Sequence, residues 1–205
     1  MHGEFPGAAN IEFQELTGRG HDLQVMEPGT RRTDLARLVA AARDGDHDAF
    51  HELYRSYARM VHGVLLSSAP HPVVEDLAQE VFLQAYRQLP RLREPGAFGG
   101  WLAAIARNLS RDHFRRTRET AELMDTHAAP GNPGAAAEAA AVLGVIRALP
   151  EAYRETLILR LVEGMNGAEI AERTGLSPGS VRVNLHRGMK LLRERLERRN
   201  THADA

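Results

Sequence analysis

Apolar residues in this chain recur at three- and four-residue steps and never alternate over a strand's length. That period belongs to helices with one buried face, so no sheet is expected and the fold class is all-α. Leu35, Leu38, Val39 and Ala42 make a first stripe, broken at Asp44-Gly45-Asp46. Phe50, Leu53, Tyr54, Tyr57, Met60, Val61 and Val64 make a second, ended by Pro70 and Pro72, which cannot continue a helix. A third helix is expected from Val73 to Leu89, with Leu77, Val81 and Ala85 inward. Pro90–Gly100 reads as a loop. Phe98, Trp101, Leu102, Ile105 and Leu109 line a fourth helix that runs into Arg115-Arg116-Thr117-Arg118.

The pattern then lapses. Residues 119–137 include MDTHAAPGNPGAAA, poor in bulky apolar side chains and rich in Ala, Pro and Gly, which is the composition of a linker. It resumes at Glu138 with Val142, Val145, Ile146 and Leu149, then Tyr153, Leu157, Ile158, Leu161 and Val162, followed by two elements over 167–174 and 177–199. The expected organisation is a flexible extension (1–30), a helical domain (31–118), a flexible linker (119–137), a second small helical domain (138–199) and a tail (200–205).

Charge follows the same division. The net value of −1 conceals blocks of −4 over 1–30, +4 over 31–118, −4 over 119–140 and +3 over 141–205. Two basic modules parted by acidic segments suit a chain that meets a polyanion twice. The absence of cysteine excludes a disulfide scaffold, a thiolate zinc site and a cysteine nucleophile. No run of about 18 apolar residues is present to cross a bilayer. The first residues lack the basic-then-apolar order of a secretion signal, so a cytoplasmic setting is expected.

The most specific motif is GAEIAERTGLSPGSVRVNLHRGMKLL, residues 167–192. Gly175 can end one short helix in the left-handed conformation, Ser177 can cap the next, and Pro178 suits a first helical position. Val181, Leu185, Met189 and Leu192 supply a buried stripe. Arg182, Asn184, His186, Arg187 and Lys190 remain on other faces. That is a helix-turn-helix whose second helix can enter the major groove. The plain alternative is a helical hairpin with a solvated charged face.

Residues 106–118, ARNLSRDHFRRTR, carry five arginines and one aspartate behind Phe98 and Trp101, a mixture suited to a nucleic-acid backbone and unpaired bases. Trp101 shares a stripe with Ile105 and Leu109, so a core position is the better reading for it. Residues 73–89 set Glu75, Asp76, Gln79, Glu80 and Gln84 among Phe82 and Tyr86, a surface that could dock a basic partner helix or merely face water. His47 and His51 stand four apart near Asp44, Asp48 and His62. No third ligand is fixed, so no metal is expected. Phosphate loop, nucleophile elbow and paired-acid site are all absent, so neither an enzyme nor a cofactor is expected.

Taken together, residues 34–198 resemble the extracytoplasmic-function sigma factors of bacterial RNA polymerase, a branch of the sigma-70 family. EDLAQEVFLQAYRQL resembles the region 2 helix that grips the β′ clamp helices. GAFGGWLAAIARNLSRDHFRR resembles the segment that recognises and melts the promoter −10 element. Residues 149–196 resemble region 4, which reads the −35 element and contacts the β flap.

The resemblance implies a clamp-binding set of Asp76, Gln79, Glu80, Phe82 and Tyr86. It implies base capture in the −10 element by the loop with Phe98 and by Asn108, with Arg111, Arg115 and Arg116 on phosphates. It implies −35 contacts from Ser180, Arg182, Asn184, His186, Arg187 and Lys190. Val183-Asn184 departs from the Ser-Arg pair often found there. It also implies core RNA polymerase and promoter DNA as partners, an anti-sigma factor as inhibitor, and a linker whose Glu119, Glu122 and Asp125 would enter a basic channel of the polymerase. The competing expectation is a helix-turn-helix regulator that is not a polymerase subunit.

Overall fold

The computed structural model describes residues 28–121 and 135–203, and every regular element among them is helical. Four α-helices form the first module: α1 (Pro28–Arg43), α2 (His47–Leu66), α3 (Val74–Gln88) and α4 (Phe98–Ala121). Four form the second: α5 (Ala135–Arg147), α6 (Glu151–Leu161), α7 (Gly167–Thr174) and α8 (Pro178–Ala203). The expected extension lies almost wholly outside the described residues, as does most of the expected linker.

The break between α1 and α2 follows from local chemistry. Gly45 takes a φ of 95°, and the Asp46 carboxylate accepts from the backbone N–H of Asp48 and Ala49 at 2.9 and 3.0 Å. Those bonds satisfy two of the helix's otherwise unpaired first donors. α2 is the hub of the module, packing on α1, α3 and α4. Its Leu53, Tyr57, Met60, Val61 and Val64 are buried at helical spacing.

Some boundaries differ from expectation. The chain between α3 and α4 holds two short 3-10 turns, Leu89–Arg91 and Pro95–Ala97, and α4 takes over at Phe98, ahead of Gly100. Proline at the early positions of such turns has its φ preset and needs no hydrogen-bond donor. α4 runs on to residue 121 and α5 begins at residue 135, each reaching into the stretch expected as linker.

In the second module α6 and α7 pack on α8, and α5 packs on α6 and α8. Gly188 of α8 lets that helix approach α6 closely. A Cβ there would stand 3.1 Å from Leu157 Cδ1 and from Tyr153 Cβ.

The modules are also docked on one another. α2 packs on α6 and α7, and α4 packs on α7, so the buried apolar residues form one continuous cluster.

Candidate nucleic-acid interface

The helix-turn-helix is locked at each step of its backbone. Asn166 caps α7, accepting from Ala168 and Glu169 N–H at 3.0 Å, while Glu169 accepts the Asn166 N–H at 2.7 Å. This reciprocal capping box fixes the first helix's start. Gly175 ends it at φ 74°, where a side chain would be strained. Ser177 Oγ then accepts the Ser180 N–H at 3.1 Å, with Pro178 as the first helical residue.

The buried side of α8 is carried by Val181 and Leu192. On the opposite side Val183, His186, Arg187 and Lys190 are exposed, flanked by exposed Arg182 and Ser180. Asn184 is half-buried at the edge of this face. Val183 was not among the expected contacts. At 42% exposure between the polar groups, it offers the kind of apolar surface that meets a thymine methyl.

On α4, Asn108, Arg111, Arg115 and Arg116 are all exposed, while Ile105 and Leu109 are buried. Phe98 is placed differently from the expected base-capturing group. It has no exposed surface and packs edge-on against Tyr57 with ring centroids 5.0 Å apart. It therefore lies inside the module at the first residue of α4, between Tyr57 and Trp101. Trp101 is half-buried against Phe98, at 5.8 Å. Phe114, not singled out from the sequence, is 62% exposed among the arginines.

On α3, Glu75, Asp76, Gln79 and Glu80 share an exposed face. Phe82 turns inward and packs on Tyr54 at 4.4 Å, so it underlies that face without being displayed on it. Burial raises the Tyr54 phenol's pKa, and the ring stays neutral in this contact. Tyr86 is half-buried, edge-on to Phe50, with its hydroxyl 3.4 Å from His47 Nδ1. Among the described residues no group of three or more His, Asp or Glu side chains is placed to hold a metal, and no helix is long and apolar enough to cross a membrane.

Polar contacts among the described residues join the modules. Arg107 donates from Nε and Nη2 to the two carboxylate oxygens of Glu155, each at 2.8 Å. This hydrogen bonding is the main reason the Arg107 pKa is raised. His62 Nδ1 lies 2.6 Å from Glu163 Oε1, with Arg59 Nε 3.9 Å from the same carboxylate. Arg147 donates to the carbonyls of Leu66 and Ala69 at 3.0 and 2.8 Å, its pKa lowered by burial. The histidine weighed as a metal ligand in the sequence thus meets an acid 101 residues further on.

Comparison with known proteins agrees with this geometry. The Sigma-70 region 2 family model matches residues 53–120, and that for Sigma-70, region 4 matches residues 137–192. The RNA polymerase sigma factor CarQ of Myxococcus xanthus is 36% identical over 166 residues, covering 75% of this chain and 92% of CarQ. The ECF RNA polymerase sigma factor BldN of Streptomyces coelicolor is 31% identical over 169 residues, and the match spans 77% of this chain but only 64% of BldN. Among solved structures, CnrH in complex with the cytosolic domain of CnrY aligns with a TM-score of 0.56 at 25% identity, covering 80% of this chain and 97% of CnrH. The chain belongs to the sigma-70 family, in its extracytoplasmic-function branch. It is an RNA polymerase sigma factor, a transcription-initiation protein that directs promoter recognition.

Proposed function

We propose that the protein works in the cytoplasm as the promoter-recognition subunit of core RNA polymerase, with labour divided between its modules. The exposed face of α3, Asp76, Gln79 and Glu80 with the edge of Tyr86, docks on the β′ clamp helices. The loop ahead of Trp101 and Asn108 receive a base extruded from the −10 element, offsetting an unstacking cost of about a few kcal/mol. Phe98 and Phe82 act one layer down, holding the loop and the α3 face in shape.

Arg111, Arg115 and Arg116 hold phosphates beside that base, fixing position without reading sequence. On α8, Arg182, Asn184, His186, Arg187 and Lys190 with Ser180 contact the −35 duplex through phosphates and base edges, and the second module meets the β flap. The acidic linker residues Glu119, Glu122 and Asp125 occupy a basic polymerase channel. An anti-sigma factor covers these faces when transcription is off, as the CnrY domain accompanies CnrH in the solved complex.

The observation that carries this reading is the pair of exposed cationic helices on separate modules of one chain, α4 and α8. A regulator acting alone needs only the second. Co-elution with purified core polymerase tests it: a stable stoichiometric complex is expected. Sequence-specific DNA binding without any polymerase association would instead favour the stand-alone regulator.

A further inference from the structure

The middle of the outward face of α8 is apolar. Val183 lies in the second turn of the helix that begins at Pro178, and it is 42% exposed. At about 100° per residue, it stands about 160° around the helix from Val181 and about 180° from Leu192. Those two side chains are buried, so Val183 occupies the pole of the opposite face. Exposed Arg182 and His186 flank it on one side, and exposed Ser180 and Arg187 on the other. Asn184 is half-buried and lies away from this pole.

Folding gives no reason for valine here. Val183 is not part of the buried cluster and is not packed against it. Its β-branched side chain also suits an exposed helix position less well than the Lys and Arg around it. A second residue of the same face is equally unexplained. Gly179 lies four residues earlier, and a Cβ there would find only Ser177 Oγ within 4 Å, at 3.9 Å. Its φ is not positive either. With neither a steric nor a conformational demand for it, this glycine leaves bare backbone at the start of the helix, which suits close approach to a ligand. Gly179 and Val183 thus form an uncharged strip along the N-terminal half of α8, bordered by cations.

The N-terminal residues of a recognition helix are the ones that reach base edges in the major groove. Thymine is the only base of DNA that presents an apolar group there, its C5-methyl, while the others offer hydrogen-bonding groups alone. Valine has no donor or acceptor to give those groups, and covering one strips it of water without replacing the lost bond. An apolar residue at the pole therefore favours thymine and disfavours the other three bases.

We propose that Val183 is a specificity-determining residue that reads one thymine of the −35 element through its C5-methyl, a contact that rests on the −35 role proposed above for α8. Arg182, His186 and Arg187 hold phosphates and neighbouring base edges on either side, which sets the register in which Val183 meets that methyl.

Uracil tests the contact, because it lacks only the methyl and pairs as thymine does. Holoenzyme assembled from the full chain and core polymerase first selects its preferred −35 element from a promoter library randomised there. Each thymine of that element, on either strand, is then replaced singly by uracil, and the holoenzyme concentration that half-saturates the promoter is measured. For the natural protein one replacement is expected to weaken binding about fourfold, the effect of losing one buried methyl contact. Val183→Ser, a change between residues of similar helix propensity, is expected to bind the thymine and uracil promoters equally. Its retained sensitivity to other −35 substitutions excludes unfolding as the cause.

A preferred element without thymine would overturn the contact. So would an element in which no uracil replacement weakens the natural protein, or a fourfold preference kept by Val183→Ser. In each case sensitivity to other −35 substitutions would leave the role of α8 standing. Binding indifferent to every −35 substitution would overturn that role, and the thymine contact with it.

Discussion

Arg107 and Glu155, 48 residues apart, meet through two parallel hydrogen bonds of 2.8 Å with the guanidinium 26% and the carboxylate 10% exposed. Planar guanidinium and carboxylate match in this fork geometry, which makes the pair directional as well as strong. Arg107 immediately precedes Asn108 on the basic helix, so this contact ties the proposed −10 surface to the module bearing the helix-turn-helix.

A double-mutant cycle of Arg107→Ala and Glu155→Ala should therefore give a coupling free energy of about 1–3 kcal/mol in thermal unfolding. Each single variant should lose more than the pair's net worth, because it strands a partly buried charge. Additive losses would mean that the two groups do not act together.

Asn166 and Glu169 form a reciprocal capping box at the start of the helix-turn-helix, the Asn166 side chain accepting from the Ala168 and Glu169 N–H groups. Asn166→Ala should cost about 1 kcal/mol of stability. Asn166→Asp, which keeps the acceptor, should recover most of it. Chemical denaturation followed by circular dichroism reads both.

Tyr57 is buried and its phenol pKa is pushed up to about 12, chiefly by desolvation, with the Arg173 cation opposing the shift and Glu172 adding to it. The folded state therefore holds the phenolic proton more tightly than the unfolded chain, whose value is about 10. Stability from this group is fully present below pH 10 and is lost as pH rises toward 12, by roughly 2–3 kcal/mol. Tyr57→Phe should flatten that part of the alkaline unfolding profile, measured at constant ionic strength.

Phe98, with no exposed surface, offers a direct comparison with Asn108 on the same helix. Phe98→Ala should lose about 3–5 kcal/mol of stability through the cavity it leaves. Asn108→Ala, at an exposed position, should leave stability within about 0.5 kcal/mol and lower open-complex formation on promoters. A stable Phe98→Ala protein with altered −10 preference would place that ring on the DNA instead.

Much of this was legible from the residues alone. The stripes of Leu53, Tyr57, Met60 and Val64, and of Val181 and Leu192, predicted buried helix faces because each residue's neighbours at three and four positions share its face. Gly175, Ser177 and Pro178 announced the turn because each suits one backbone position that few other residues fill so well.

The docking of the modules could not be read that way. It depends on a helix-interior glycine at 63 whose only explanation is a partner nearly a hundred residues away, and on His62 finding Glu163 across the same gap. Periodicity reports what lies within one helix, whereas these contacts depend on how two modules are set against each other. The resemblance implied contact roles for Phe98 and Phe82, although the stripe of α4 already set Phe98 inward, and the structure buries both side chains. An aromatic at the edge of an amphipathic stripe can turn inward or outward with the same spacing, and packing against Tyr57 and Tyr54 decides it.

The most direct test of the proposed function is run-off transcription by purified core polymerase on a promoter library, with and without this protein. The account predicts transcripts from a defined promoter subset only when the protein is present. It further predicts that Asn108→Ala weakens output through −10 positions and Arg187→Ala through −35 positions. Promoter-selective DNA binding with no transcript from any library member, despite active core polymerase, would contradict it.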